Sequence, residues 1–193
     1  IVAKVAGWIH QRGGNVLHAD QHLDRQENVF FQRVEWEPAG QAHARDESRE
    51  FISFVKRALE MSVRIAHSDD RPKVALMVSR ADHCFHDLVL RVRAGEWNAD
   101  FVGVLSNHED LGPVSQSYGL PFHCFPVSPE SKQEVEGKQV AWLRGNGVEL
   151  VILARYMQIL SPAFLKDVGC PVINIHHSFL PSFAGAKPYH QAY

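Results

Sequence analysis

The sequence predicts an α/β protein in two parts, a small α+β module followed by a larger domain on a mostly parallel sheet. Three observations carry this expectation. Residues 1–67 hold two helical patterns and three short strand-like runs in the order α-β-β-α-β. From residue 73 onward, short apolar or β-branched runs alternate with helical stretches, the pattern of parallel strands wound with helices on both faces. Between the two lies Ser68-Asp69-Asp70-Arg71-Pro72, a short charged linker that places the domain boundary.

In the first module, residues 1–12 read as a helix. Val2, Val5, Ala6 and Ile9 recur at helical spacing, and Gly13-Gly14 stops the run. Residues 15–23 and 29–37 read as strands around a polar turn, with Phe30, Val34 and Trp36 on one face of the second. Ser48 is expected to cap a second helix that turns Phe51, Ile52, Val55, Ala58 and Leu59 inward. Residues 61–67 read as a further strand. One more strand in front would complete β-α-β-β-α-β, the ferredoxin-like plan.

In the second part, Val74–Val78, Phe101–Leu105, Leu150–Ala154 and Val172–His176 are the expected parallel strands, with a short one within 121–127. Helices are expected at 87–94, 111–118 and 130–146. The last has imperfect apolar spacing, carried by Val135, Trp142 and Leu143.

The composition is that of a soluble globular protein, 45% hydrophobic and 22% charged. A net charge of -2 gives no electrostatic case for nucleic acid or an anionic membrane. No apolar run approaches the ~20 residues of a membrane span, and no signal peptide stands out. The three cysteines, Cys84, Cys124 and Cys170, are odd in number and far apart. They argue against a disulfide framework and for a reducing, cytoplasmic setting. The chain begins without Met and stops at Tyr193 soon after a helix-start signal, so it reads as an internal piece of a longer protein lacking both ends.

The chemistry concentrates at the end of the last strand. Residues two apart on a strand share a face, so Asn174 and His176 lie side by side, about 7 Å apart at their Cα atoms. After His176 the chain turns polar and Pro-rich, which puts both at the carboxyl end of the strand, where open α/β sheets bind ligands. An amide donor beside an imidazole suits acyl or formyl chemistry: Asn holds an oxyanion and His moves the proton. His83-Cys84-x-His86 invites a metal, but no second ligand pair at zinc spacing exists, so none is expected. Ser79-Arg80-Ala-Asp-His-Cys84 follows the first parallel strand without a glycine. Phosphate loops need glycine for close backbone approach, so Ser79 and Arg80 suit at most weak anion binding.

Asn174-Ile-His176 and the following His-Ser-Phe-Leu-Pro-Ser-Phe-Ala-Gly-Ala-Lys-Pro-Tyr-His-Gln-Ala-Tyr193 resemble the N10-formyltetrahydrofolate hydrolase and formyltransferase superfamily, and its formyltetrahydrofolate deformylase branch in particular. The resemblance implies a Rossmann-like formyltransferase domain over 73–193, with the rest of that domain and its catalytic Asp beyond Tyr193. It implies 10-formyltetrahydrofolate as substrate, no further cofactor, and no metal. Asn174 and His176 become the catalytic pair. Met157, Gln158, Ile159 and Leu160, after the third buried strand, become the folate contacts. His177, Lys187 and His190 flank the site, and Lys187 and His190 are candidates for the folate tail. Hydrolysis would release formate and tetrahydrofolate into one-carbon and purine metabolism.

The order of elements over 1–67 is similar to an ACT domain, a regulatory or assembly module whose first strand is missing here. That resemblance implies a homo-oligomer and an amino-acid effector near Gly13, Gly14 and Asn15. The alternatives are a formyltransferase acting on an amine acceptor and a non-catalytic folate-sensing ACT protein. The glycine-free loop counts against a phosphorylated acceptor, and the Asn174-x-His176 pair counts against a mere sensor.

Overall fold

A computed structural model describes residues 1–40 and 44–174. The chain separates into two units, Ile1–His67 and Ser68–Tyr193. Among the described residues no helix is long and apolar enough to cross a membrane.

In the first unit, α1 (Val2–Gln11) buries Val5, Trp8 and Ile9. Ala6, expected inward, is exposed because the buried stripe runs through Trp8 instead. The helix closes with Gly13 at φ 76, whose N–H donates to His10 O at 2.9 Å, and Gly14 N–H donates to Ile9 O at 3.0 Å. β1 (Asn15–Asp24) and β2 (Val29–Glu37) form an antiparallel hairpin. In its turn the Asp24 carboxylate accepts from the N–H groups of Gln26 (2.9 Å) and Glu27 (3.1 Å), and Asn28 takes the left-handed φ of 53 that Asn tolerates. Phe30, Val34 and Trp36 do share one half-buried face of β2.

α2 (Ala44–Phe54) departs from expectation at its start. Ser48 is not its cap but lies a turn inside, where its hydroxyl donates to Ala44 O at 2.8 Å. The helix runs into a π-helical turn, Val55–Leu59, which Glu60 closes at φ 54. Phe51 and Val55 are buried, whereas Ala58 is exposed. The wider turn rotates Ala58 off the apolar stripe. Trp8 and Trp36 both stand against Phe51, with ring centroids 5.0 and 5.1 Å away.

Residues 61–67 are not a strand. Met61, Val63, Ile65 and His67 are half-buried and alternate with exposed neighbours, so the side-chain pattern is that of a strand. Among the described residues, however, no strand forms a ladder with this segment, and an extended segment becomes a strand only through a ladder.

Among the described residues the second unit holds a five-stranded parallel sheet of β3 (Lys73–Val78), β4 (Asp100–Ser106), β5 (Phe122–Cys124), β6 (Leu150–Ala154) and β7 (Val172–Asn174), in the order β5-β4-β3-β6-β7. Its helices are α3 (His83–Arg93), α4 (Gly112–Ser117), α5 (Lys132–Gly145) and α6 (Pro162–Asp167). α3 starts four residues before its expected position, within the glycine-free stretch, and α6 has no counterpart among the expected helices.

Strand β3 shows how two cores form. Val74, Leu76 and Val78 face Phe85 and Val89 of α3, while Ala75 and Met77 face Leu143 of α5 and Phe164 of α6. Val74 through Val78, five of the six residues of β3, are fully buried, as a strand covered on both faces must be. Gly103 lets the Trp142 side chain of α5 approach β4 closely; a Cβ there would stand 2.6 Å from the indole.

Candidate active site

The strand order places a crevice. From β3 the chain winds outward through β4 and β5, then returns to add β6 and β7 on the other side of β3. The carboxyl ends of β3 and β6 therefore flank the topological switch point, where open α/β sheets bind ligands. In register, Val78 pairs with Ala154, and Leu153 pairs with Asn174 one strand further on.

Three strand ends are tied together beneath this edge. Ser79, which follows β3 and is 4% exposed, donates its hydroxyl hydrogen to Asn107 Oδ1 at 2.6 Å. The Ser79 hydroxyl oxygen in turn accepts the Met157 N–H at 3.1 Å. Asn107 follows β4 and is 7% exposed. Ser79 is thus occupied as a link between segments, which corrects its reading as an anion ligand; Arg80 beside it is exposed.

The loop after β6 begins at Arg155, which holds a left-handed φ of 62 at a cost of order 1 kcal/mol. That turn sends Tyr156 inward, where its hydroxyl oxygen accepts from Gln139 Nε2 at 3.1 Å. Burial pushes the Tyr156 pKa up; the Gln139 bond opposes this and the Glu136 charge adds to it. Met157 and Ile159 then turn outward, 64% and 72% exposed, while Gln158 and Leu160 are half-buried. The loop ends at Ser161, which caps α6 by accepting the Phe164 N–H at 3.1 Å. Two apolar side chains so exposed, on a loop pinned at both ends, form a surface suited to a flat aromatic guest.

Asn174 is exposed at the end of β7, one strand from this loop. His176, its expected catalytic neighbour, lies outside the described residues, as do His177, Lys187 and His190. The four expected folate contacts are consecutive on the β6 loop and share the sheet edge with Asn174.

Four residues at this edge escaped sequence reasoning: Ser79 as a link, Asn107, Glu136 and Gln139. The signal for the last two was present, since the broken apolar spacing of α5 arises because they occupy its buried face beside Val135 and Leu143.

Other features take plainer roles. His86 Nδ1 shares a 2.8 Å hydrogen bond with the Tyr118 hydroxyl, and Asp82 lies 3.6 Å from its Nε2. Among the described residues no group of three His, Cys, Asp or Glu side chains could hold a metal ion. A cleft of about 600 Å³ lies in the first unit, lined in part by Trp8, Arg12, Arg49, Phe54 and Arg57.

Cys124, at the end of β5, has its thiol pKa pushed up to about 11 by burial, a hydrogen bond to Glu109, and the charges of Glu109 and Asp110. A raised thiol pKa means less thiolate at neutral pH. Cys124 should therefore alkylate with a rate still climbing past pH 10, and at pH 8 roughly 100-fold below an unperturbed thiol. Mass spectrometry of iodoacetamide-treated protein across pH checks this; a plateau near pH 9 would contradict it.

A parallel sheet in this order, with a pinned apolar loop and an amide at adjacent strand ends, defines a class. Residues 72–193 match the formyl transferase family model, so the second unit is a formyl transferase domain. Over the whole chain, a formyltetrahydrofolate deformylase from Synechocystis is 42% identical and one from Mycobacterium bovis 43% identical, with 68% and 62% of their lengths covered. A crystal structure of a deformylase from Pseudomonas syringae superposes on 99% of this chain and 64% of its own, at a TM-score of 0.84 and 37% identity. The chain belongs to the formyltetrahydrofolate deformylase family, and it spans about two thirds of the length of these relatives.

Proposed function

We propose that the protein hydrolyses 10-formyltetrahydrofolate to formate and tetrahydrofolate, feeding one-carbon and purine metabolism. The carrying observation is the convergence of Met157, Ile159 and Asn174 on one exposed sheet edge beside the switch point. Met157, Gln158, Ile159 and Leu160 receive the pterin ring. That leaves the formyl group toward β7, where water adds to its carbon. The Asn174 side-chain N–H stabilises the developing oxyanion. His176 takes the proton from water and passes one to the N10 leaving group. Amide and imidazole supply both the oxyanion donor and the proton carrier, so the reaction calls for no metal and no further cofactor.

The full-length protein, given 10-formyltetrahydrofolate alone, should release formate and tetrahydrofolate in equal amounts. Formate release that requires glycinamide ribonucleotide or another amine would make it a formyltransferase. Loss of activity with chelator and its return with zinc would end the metal-free reading.

The same reading makes the first unit an ACT-like assembly and regulatory module over 1–67. In support, β1 and β2 expose Val16, Leu17, Leu23, Val29 and Phe31, an unusual apolar surface for an antiparallel hairpin. A homo-oligomer joined through this unit covers it. An amino-acid effector belongs to this module, with the Gly13–Asn15 turn as its place. Three free cysteines accord with a cytoplasmic setting. In sedimentation, full-length protein should exceed the monomer mass, and a version starting at Lys73 should be smaller in subunit number. An unchanged number would remove the assembly role.

A further inference from the structure

Helix α5 turns a carboxylate into the interior. Glu136 is 8% exposed and Gln139 fully buried, on a face where apolar residues would pack better. Both Glu136 oxygens are used on one residue of the β6 loop: Oε1 accepts the Ser161 N–H at 3.1 Å, and Oε2 accepts the Ser161 hydroxyl. One turn along α5, Gln139 donates to Tyr156 at the loop's other end. Ser79 holds the Met157 N–H between them. The backbone N–H and C=O groups of Gln158, Ile159 and Leu160 take no hydrogen bond among the described residues. The loop is thus gripped at 156, 157 and 161, and its uncommitted polar backbone lies in the span between.

We propose that Glu136 is a positioning residue for folate binding. By fixing Ser161 it holds the free amides and carbonyls of 158–160 toward a ligand with a hydrogen-bonding heterocyclic edge, as a pterin has. This rests on the reading of the β6 loop as the folate contact. Uncommitted backbone groups on a slack loop would turn to water or to one another, and each ligand would have to order them on binding. A carboxylate beneath the loop removes that cost in advance.

The test uses full-length protein carrying Glu136→Gln, Ser161→Ala, Ser161→Thr, or Glu136→Gln with Ser161→Ala, measuring kcat, KM for 10-formyltetrahydrofolate and the urea midpoint. Glu136→Gln and Ser161→Ala should each raise KM about tenfold with kcat little changed, the mark of lost uniform binding. Ser161→Thr keeps the hydroxyl and should restore KM. The double variant should be no worse than the worse single, because both remove one contact. If Glu136→Gln folds poorly, the Ser161→Ala and Ser161→Thr pair still decides. An unchanged KM with a lowered urea midpoint would overturn the proposal, leaving Glu136 as a brace only. Independent multiplication of the two effects would also overturn it. Met157→Ala and Ile159→Ala separate the two ideas. If they raise KM and the Glu136 and Ser161 variants do not, positioning fails alone; if none raises KM, the folate-loop reading fails with it.

Discussion

Replacing Asn174 with alanine is expected to lower kcat by about 10²–10³-fold while changing KM little. The formyl oxygen in the bound substrate is a weak acceptor. In the tetrahedral intermediate it is an anion, and only then is the Asn174 donor fully used. Removing a donor of this kind costs ~3–4 kcal/mol of transition-state stabilisation. His176→Ala should lower kcat at least as far, since water is then left without a proton acceptor. Neighbouring positions on a strand alternate faces, so on the sequence reading that makes His176 the proton carrier, His177→Ala should cost much less. Steady-state kinetics of the three variants in full-length protein check this. Equal losses at His176 and His177 would put the wrong imidazole in the site, and a rise in KM with unchanged kcat for Asn174→Ala would make Asn174 a binding residue.

The second large effect falls on Ser79→Ala, which should destabilise the second unit by about 3 kcal/mol. One hydroxyl serves two partners, donating to the buried Asn107 Oδ1 and accepting the part-buried Met157 N–H. Its loss leaves an acceptor and a donor unsatisfied, at ~1–3 kcal/mol each. The urea midpoint should fall, and KM for 10-formyltetrahydrofolate should rise because Met157 loses its anchor. A midpoint within error of wild type would mean that water reaches both partners.

The parallel strands were legible because each is a short apolar run, which is what burial on both faces demands; β3 is the plainest case. The hairpin was legible from alternation and a polar turn. Ser48 misled because serine favours both a helix cap and a bond to the preceding turn, and the four residues before it had no pattern to show they were already helical. Residues 61–67 misled in a different way. Their alternation describes side chains, whereas a strand is defined by a partner backbone.

At the candidate site, the exposed apolar loop and Asn174 were legible as residue types at a strand end. The supports beneath them were not. A glutamate on a helix reads as solvated, and a serine after a strand reads as a turn residue. Only tertiary placement shows that Glu136 and Ser79 face inward.

The buried polar face of α5 also bears on how this chain would change under selection. Gln139 Oε1 has no partner among the described residues, and Glu136 holds a carboxylate out of water. Exchanging Glu136 together with Ser161, or Gln139 together with Tyr156, for apolar residues would remove a desolvated atom along with its partner and add apolar contact, so a screen for thermal tolerance alone would favour such exchanges. The survivors would carry a better-packed helix under a slack loop. Stability and ligand affinity therefore pull on the same two pairs in opposite directions, and heat-selected libraries of this protein should lose function at these pairs without any change at Met157, Ile159 or Asn174.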